Sequence, residues 1–311
     1  MGEFAVIERI NRGRGHTAAV AVGPGDDAAV IAAPDARVVV TTDMLIEGRH
    51  FRLDWSTPRD IGRKAIAQNA ADVVAMGARP TGYVVGLGCP GDTALTVVDG
   101  LADGMWHEAQ RSGAGIVGGD LVQSPQLVLS VTAFGDLEGR APLLRSGARP
   151  GDTVAVAGTL GRSAAGMAAL SSGSSGFADL IAAHQAPEPP YAAAISASQA
   201  GASAMSDVSD GLLADLGHIA DASGVVIDIA PDAVRDERVE ELARELDTDP
   251  NVLLLTGGED HALVATFPAG SALPDGWRPI GRVQAVGDAG PAVTVDGAPW
   301  TGGTGWQSFG A

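Results

Sequence analysis

Aspartates that follow glycines, threonines and short apolar runs are the residues of this chain best suited to chemistry. They occur in Gly25-Asp26-Asp27, Thr41-Thr42-Asp43, Gly118-Gly119-Asp120 and Asp207-Val208-Ser209-Asp210-Gly211, and Asp72 ends a polar helical stripe. We expect these positions at strand ends and helix starts, where α/β proteins place ligands. Mg²⁺ prefers oxygen ligands, so the pattern predicts a divalent-metal site whose ions bridge phosphates. For any one aspartate, the alternative is local hydrogen bonding in a turn or cap.

Other phosphate, metal and hydrolase motifs are missing from the sequence. Lys64 is the only lysine, and no G-x-x-x-x-G-K-[ST] segment exists, so a P-loop is excluded. The sequence contains no H-R-D or D-F-G segment typical of protein kinases. It also contains no C-x-x-C, H-E-x-x-H or G-x-S-x-G segment, which argues against zinc and against a nucleophile elbow.

Charge and composition limit the partners. The chain has 38 acidic and 20 basic residues and a net charge of −18, which disfavours nucleic acid. No apolar run is long enough to span a membrane. The single cysteine, Cys89, allows no internal disulfide, so we expect a cytoplasmic protein.

The pattern of apolar residues predicts two α/β domains, 1–140 and 141–311, separated by the turn-rich stretch from Gly139 to Asp152. Helices are predicted for Arg59 to Met76 and from Arg162 and Leu212 onward. In the first helix, Lys64, Gln68 and Asp72 form a polar stripe expected to face away from the packed side. Strands are predicted at Val38 to Val40, Tyr83 to Leu87, Leu127 to Phe134, Thr153 to Ala157, Val225 to Ile229, Val252 to Leu255 and Ala262 to Phe267.

Seven sequence blocks together resemble the thiamine-monophosphate kinase family of the aminoimidazole-ribonucleotide-synthetase superfamily. The blocks are G-D-D-A-A-V (25–30), T-T-D-M-L-I-E-G-R-H-F (41–51), G-R-K-A-I-A-Q-N-A-A-D-V-V-A-M-G-A-R-P (62–80), G-I-V-G-G-D (115–120), L-L-R-S-G-A-R-P-G-D (143–152), D-V-S-D-G-L (207–212) and T-G-G-E-D-H (256–261). They follow family order and spacing over nearly the whole chain.

The resemblance implies a two-domain fold with mixed sheets. In this family the N-terminal strands form a barrel with a partner's at a homodimer interface. The implied N-terminal domain binds ATP and metal, and the C-terminal domain completes the nucleotide and substrate site. The implied reaction is ATP-dependent phosphorylation of thiamine monophosphate to thiamine diphosphate, the last step of thiamine diphosphate biosynthesis. It proceeds by direct in-line transfer with several Mg²⁺ ions.

Matched residue by residue, the resemblance also implies functional positions. The implied metal ligands are Asp27, Thr41, Thr42, Asp43, Asp72, Asp120, Asp207 and Asp210. The implied nucleotide contacts are Gly119, Asp120, Arg145 and Ser209, and the substrate contacts are His50, Glu259 and Trp306. Asp43, Asp120 and Arg145 are the implied catalytic residues. Two positions depart from the family pattern: Ala71 stands where Ser is common, and Tyr191 where an Arg follows proline.

Related functions remain as alternatives. Selenophosphate synthetases carry a Cys or selenocysteine with a Lys near the N-terminus, which this chain lacks, and hydrogenase-maturation relatives end in a catalytic Cys, whereas this chain ends in Phe309-Gly310-Ala311. The remaining alternatives are another ATP-dependent member of the superfamily and a non-catalytic protein that binds Mg-nucleotide.

Overall fold

The computed structural model describes residues 8–23 and 28–306, which divide into two compact units. The boundary falls after Arg140, except that Ala75–Gly77 belong with the second unit. The elements of the first unit are β1 (Val20–Val22), β2 (Val30–Ile31), β3 (Val39–Ile46), α1 (Pro58–Ala75), β4 (Arg79–Cys89), α2 (Leu95–Arg111), β5 (Ile116–Gln123) and β6 (Val128–Asp136).

A four-stranded mixed sheet, ordered β3-β6-β4-β5, forms the body of the first unit. Strands β3 and β4 pair antiparallel with β6, and β4 pairs parallel with β5. Helices α1 and α2 cover one face: Tyr83 of β4 contacts Ser112, just after α2, with 2.7 Å between the hydroxyl oxygens. The two helices approach closely at Gly104, where a Cβ would lie 1.9 Å from the Arg59 carbonyl oxygen.

Asp43 and Asp120 of the first unit lie inside strands rather than at strand ends. We expected a strand to end at Thr41-Thr42-Asp43, but β3 pairs with β6 from Val39 to Ile46. Asp120 likewise lies inside β5, opposite Gly86 of β4. The expectation was wrong because strand pairing with β6 and β4 carries both strands past the polar residues, which an apolar-run criterion treats as terminators.

Helix α1 is buried on almost every side, so the prediction that its polar stripe faces away from the packed side was wrong for two of its members. Lys64 and Gln68 are buried, and Lys64 Nζ donates to the His50 carbonyl at 3.1 Å. A buried ammonium group needs such partners. The helix itself is confirmed, and its bounds agree with the prediction within one residue at each end.

The elements of the second unit are β7 (Thr153–Ala157), α3 (Arg162–Ser172), α4 (Ala178–Gln185), α5 (Tyr191–Gln199), β8 (Ala204–Val208), α6 (Leu212–Ser223), β9 (Val225–Ile229), α7 (Glu237–Glu245), α8 (Pro250–Thr256), β10 (Ala262–Phe267), β11 (Trp277–Ala285), β12 (Ala292–Val295) and β13 (Ala298–Pro299). The strands form a seven-stranded sheet ordered β13-β12-β9-β11-β7-β10-β8, antiparallel except for the β12–β9 pair.

The predicted strand at Val252 to Leu255 was wrong, because these residues belong to helix α8. Asp249 caps the helix by accepting from the Asn251 backbone N–H at 2.9 Å, and Pro250 occupies the first turn. A four-residue apolar run fits either element by periodicity alone, and the capping residues decide the outcome.

The predicted α/β class with mixed sheets is confirmed by both units. The predicted strands 153–157, 225–229 and 262–267 coincide with β7, β9 and β10. Within residues 8–23 and 28–306, no helix combines the length and apolar character needed to cross a membrane.

Candidate active site

Thr41, Asp43, Asn69 and Asp72 form a polar group in the first unit, here called the N-terminal cluster. Thr41 and Asp43 are two residues apart on β3 and share the sheet face that α1 covers. Thr41 Oγ1 donates to Asp72 Oδ2 at 2.7 Å, and Asn69 Oδ1 accepts from the Asp43 backbone N–H at 3.0 Å. The Asn69 amide also donates to Ala65 O. Three predicted ligands therefore lie together, fixed by a residue that was not predicted.

Other predicted residues of the first unit lie farther from this cluster. The Thr42 hydroxyl is on the opposite sheet face and donates to Val131 O at 2.9 Å. Gly119 and Asp120 lie on β5, at the other edge of the sheet, and the exposed Asp120 carboxylate accepts from the Leu121 N–H. Their predicted roles as ligands and nucleotide contacts stay predictions, and Asp27 lies outside the described residues.

His50 lies in the loop after β3, where one of its two ring nitrogens is hydrogen-bonded to the backbone. Its Nδ1 accepts from the Ile46 backbone N–H at 3.0 Å, which makes Nε2 the protonated nitrogen of the neutral ring. Its carbonyl accepts from Lys64. The geometry therefore fits a hydrogen-bond donor at Nε2, and the predicted substrate contact stays a prediction.

In the second unit, Asp207, Asp210 and Asp215 form a group here called the C-terminal cluster. Asp207 is the penultimate residue of the buried strand β8, Asp210 follows in the turn, and Asp215 lies in the first turn of α6. Oxygens of Asp210 and Asp215 and a ring nitrogen of His218 lie within 4.8 Å of one another. Burial raises the pKa of Asp210, while positive charge from His218 and Arg145 opposes that rise.

Asp215 holds the turn that carries Ser209 and Asp210. Its Oδ2 accepts from the backbone N–H groups of Ser209, Asp210 and Gly211 at 3.0, 3.1 and 3.1 Å. Gly211 has φ +129°, a conformation that other residues rarely adopt. Burial and the nearby charges of Asp207 and Asp210 raise the pKa of Asp215 to about 7. These N–H groups are occupied by a carboxylate, so the turn presents acidic groups rather than an N–H cradle for phosphate.

The T-G-G-E-D-H segment binds this turn through two of its residues, Glu259 and His261. The Glu259 and His261 backbone N–H groups donate to the carbonyls of Ser209 and Val208 at 2.7 and 2.9 Å. Both residues have positive φ, 64° and 50°. His261 Nδ1 lies 3.2 Å from Asp207 Oδ2. The segment therefore fixes both the backbone of the turn and the orientation of Asp207.

Asp260, between those two residues, anchors the start of α3. Its carboxylate accepts from the Gly161 and Ser163 backbone N–H groups at 2.5 and 2.8 Å. Nearby, His184 Nδ1 lies 3.2 Å from Ser163 Oγ and 3.7 Å from Glu259 Oε2. Glu259, the predicted substrate contact, is thus held by its backbone and has an imidazole close to its carboxylate.

Asp260 predicts a measurable pH effect on stability. Burial raises its pKa to about 7 despite the two backbone hydrogen bonds, which lower it. The unfolded pKa is about 3.9, so between pH 4 and 7 the folded state holds a proton that the unfolded state has released. The contribution of this proton to the free energy of unfolding is fully present below about pH 4. It is lost as pH rises toward 7, which lowers the free energy of unfolding by up to about 4 kcal/mol.

The test compares urea-unfolding midpoints of the parent and Asp260→Asn at pH 5 and pH 8, because Asn does not titrate. We expect the stability of the parent relative to the variant to be lower at pH 8 than at pH 5. Asp92→Asn serves as a matched control because Asp92 is exposed. The difference in stability between the parent and this variant should be the same at both pH values. If the parent became more stable relative to Asp260→Asn as pH rises, that result would contradict the raised pKa.

Trp306 contacts Asp210 in the second unit, and the charge of Arg145 acts on it. The exposed Arg145 contributes positive charge at Asp210, and its carbonyl accepts from Ser223 Oγ at 2.8 Å. The Trp306 backbone N–H donates to the Asp210 carbonyl at 2.9 Å. Asp210, His218, Trp300 and Trp306 line an open cleft of about 600 Å³. The structure therefore places one predicted substrate contact, Trp306, against a predicted metal ligand, and the predicted nucleotide contact Arg145 within electrostatic reach of it.

The donor chemistry of both clusters fits Mg²⁺. Each cluster offers mainly carboxylate oxygens, and the N-terminal cluster adds a hydroxyl, which suits a hard cation. His261 lies against one oxygen of Asp207, which leaves the other Asp207 oxygen for an ion.

Sequence reasoning missed the residues that orient the predicted ligands: Asn69, Asp215, Asp260 and His261. Two of them carried a signal. Asn69 is a polar residue within an apolar helical segment, where a buried amide must find partners. Asp215 is an acidic residue in the first turn of a helix, a position favoured by the helix dipole.

Comparisons with known proteins cover the whole chain. Residues 25–137 match the family model for the N-terminal domain of AIR synthase related proteins, and residues 149–289 match the model for the C-terminal domain. The chain is 59% identical over 313 residues to the thiamine-monophosphate kinase of Mycobacterium tuberculosis (strain ATCC 25618 / H37Rv), covering 100% of this chain and 92% of that protein.

Solved structures agree with this assignment. The thiamine-monophosphate kinase of Stenotrophomonas maltophilia K279a matches with a TM-score of 0.83 and 32% identity, covering 96% of this chain and 98% of that one. AaThiL complexed with AMPPCP and TMP matches with a TM-score of 0.81 and 31% identity, covering 99% and 97%. The chain belongs to the thiamine-monophosphate kinase family and carries both domains of the AIR synthase related proteins.

Proposed function

We propose that this protein transfers the γ-phosphoryl group of ATP to thiamine monophosphate, forming thiamine diphosphate and ADP. The observation that carries the proposal is 59% identity, over the full chain, to a thiamine-monophosphate kinase. A relative complexed with AMPPCP and TMP supports the two substrates. The single cysteine allows no internal disulfide and supports a cytoplasmic location.

The acceptor chemistry favours direct in-line transfer. A phosphate monoester is largely ionised at neutral pH, so its oxygen can attack without a strong general base. Phosphoryl transfer then depends mainly on alignment and on neutralising charge. In this scheme Asp43 and Asp120 serve as ligands rather than bases, and Arg145 offers a guanidinium for phosphate oxygens.

Magnesium ions supply the remaining positive charge when bound, and the oxygen-rich clusters would hold them. The proposed ligands are those implied by the family resemblance: Asp27, Thr41, Thr42, Asp43, Asp72, Asp120, Asp207 and Asp210. A cation requirement follows from the turn at Ser209–Gly211, whose N–H groups bind Asp215 and are therefore occupied. The phosphates of ATP would otherwise meet carboxylates of like charge.

The two units contribute different groups to the proposed reaction. The first unit provides most of the metal ligands together with Gly119 and His50, and the second provides Arg145, Ser209, Glu259 and Trp306. His50 Nε2 donates to the substrate in this proposal, because Nδ1 is occupied by the Ile46 N–H. Glu259 and the cleft beside Trp306 favour the cationic, aromatic thiamine moiety.

A coupled ADP-release assay tests the proposed function. We expect ADP release with ATP, Mg²⁺ and thiamine monophosphate, and little release when thiamine, which lacks the acceptor phosphate, replaces it. ADP release that is independent of thiamine monophosphate would indicate an ATPase or another acceptor. Absence of release with all components present would indicate a binding protein.

We further propose that the first unit forms a homodimer through its open sheet face. On β3 the face away from α1 carries Val40 and Met44, which are 58% and 50% exposed. Val122 on the other edge strand is also exposed. Apolar side chains left exposed on an open sheet face favour an interface there. A second copy of the same face, related by a two-fold axis, would cover it.

Sedimentation velocity at micromolar concentration tests this assembly, and we expect a dimer. Met44→Glu should shift the protein toward monomer, because it places a charge in the proposed interface. Val252→Glu is the matched control, since Val252 is similarly exposed but lies in the second unit. A monomeric parent, or equal effects of both substitutions, would contradict the proposed dimer face.

A further inference from the structure

Asp215 is a buried carboxylate that the proposed reaction does not use directly. It is 1% exposed, and a single oxygen accepts three consecutive backbone N–H groups. Three donors on one oxygen fix three successive peptide groups, a stronger constraint than an ordinary one-bond helix cap. The constrained turn carries Ser209 and Asp210, a proposed nucleotide contact and a proposed metal ligand.

The position of Asp215 is unfavourable on charge alone. Asp207 and Asp210 are both close enough to repel it, and such repulsion lowers the stability of the metal-free fold. An apolar residue would avoid that repulsion but would leave three N–H groups without their acceptor. The Asp215 carboxylate therefore holds the conformation of the turn, although its charge lowers the stability of the metal-free fold.

We infer that Asp215 is a positioning residue that sets the conformation of the Ser209–Gly211 turn, so that Asp210 and Ser209 meet the magnesium–nucleotide complex in a fixed geometry. The inference rests on the proposed function for the identity of that ligand. Its rival is a direct role, in which the Asp215 charge itself holds the cation, as its closeness to Asp210 and His218 allows.

Two substitutions separate geometry from charge. Asp215→Asn keeps the length of the side chain and an oxygen that can accept the three N–H groups, but it removes the charge. Asp215→Glu keeps the charge, but the extra methylene displaces the oxygen from the point where the three N–H groups converge. Asp210→Asn, a variant of a proposed direct ligand, serves as the reference for lost cation binding.

The readout is the Mg²⁺ concentration that gives half of the melting-temperature rise in the presence of a non-hydrolysable ATP analogue. We expect Asp215→Asn to stay within about twofold of the parent and Asp215→Glu to need roughly tenfold more Mg²⁺, the order seen when residues supporting a ligand are changed. Turnover, measured in parallel, should follow the same order.

Each outcome decides the inference. A parent-like Asp215→Glu with a weakened Asp215→Asn, or an Asp215→Asn that matches Asp210→Asn, assigns a direct charge role and overturns it. Parent-like values for both variants also overturn it. If Asp215→Glu does not fold, the Mg²⁺ requirement of Asp215→Asn compared with that of Asp210→Asn still separates a positioning role from a direct charge role. The titration needs no turnover, so absence of kinase activity in the parent would refute the proposed function without affecting this test.

Discussion

Asp43→Asn is expected to lower turnover by roughly 10²–10³-fold while leaving the fold intact, the range typical of removing one electrostatic stabiliser. The side-chain shape is kept, and the Asp43 backbone N–H still donates to Asn69. The charge is lost and one acceptor oxygen becomes an amide donor, and charge and oxygen ligands are what a carboxylate contributes to a cation. Steady-state rates at saturating ATP and Mg²⁺, with circular dichroism to confirm folding, measure the effect.

Asp120→Asn should show a loss of the same order, because the exposed Asp120 loses its charge while Asn keeps an oxygen that can accept from the Leu121 backbone N–H. Asp92→Asn is the matched control: Asp92 is also exposed and belongs to the same unit, but it lies in the turn after β4 and is not part of the N-terminal cluster. Near-parent rates for Asp43→Asn or Asp120→Asn at saturating Mg²⁺ would show that the metal assignment is wrong.

The second large effect is thermal. Mg²⁺ with a non-hydrolysable ATP analogue should raise the melting temperature, since a ligand at a hundred times its dissociation constant stabilises by about 2.7 kcal/mol. At roughly 2–4 °C per kcal/mol, the expected rise is about 5–10 °C. In EDTA the rise should be much smaller, because Arg145 alone cannot offset repulsion between the phosphates and the carboxylates.

Asp72→Asn should shrink the Mg²⁺-dependent part of this rise and increase the melting temperature of the ligand-free protein. The substitution removes a repelling charge from the N-terminal cluster, and Asn can still accept from the Thr41 hydroxyl. Asp92→Asn should change neither quantity. Equal stabilisation by the analogue in EDTA would contradict the proposal that metals join aspartates to phosphates.

Sequence reasoning performs best where a periodic pattern and a capping signal agree. Helix α1 is such a case: proline near its start and glycine after its end fix its bounds within one residue. It fails where tertiary pairing overrides local signals. Strand β3 continues through Thr41-Thr42-Asp43 because β6 pairs along its whole length, and Val252–Leu255 are helical because Asp249 caps them.

The candidate site shows a similar division. Family motifs identify the acidic side chains that would meet a ligand, such as Asp43 and Asp210. The residues that hold them, such as Asn69 and Asp215, act through backbone hydrogen bonds that depend on how strands and helices pack. One-dimensional spacing carries little of that information, because the donors and acceptors are brought together only in the folded chain.

Transfer of label from [γ-³²P]ATP to thiamine monophosphate tests the central claim most directly. With Mg²⁺ present, we predict one labelled product, thiamine diphosphate carrying ³²P in its terminal phosphate, formed in amounts equal to the ADP released. Omitting Mg²⁺ should abolish it. Labelled inorganic phosphate as the main product, with thiamine monophosphate unchanged, would contradict the assignment of this protein as a kinase of thiamine monophosphate.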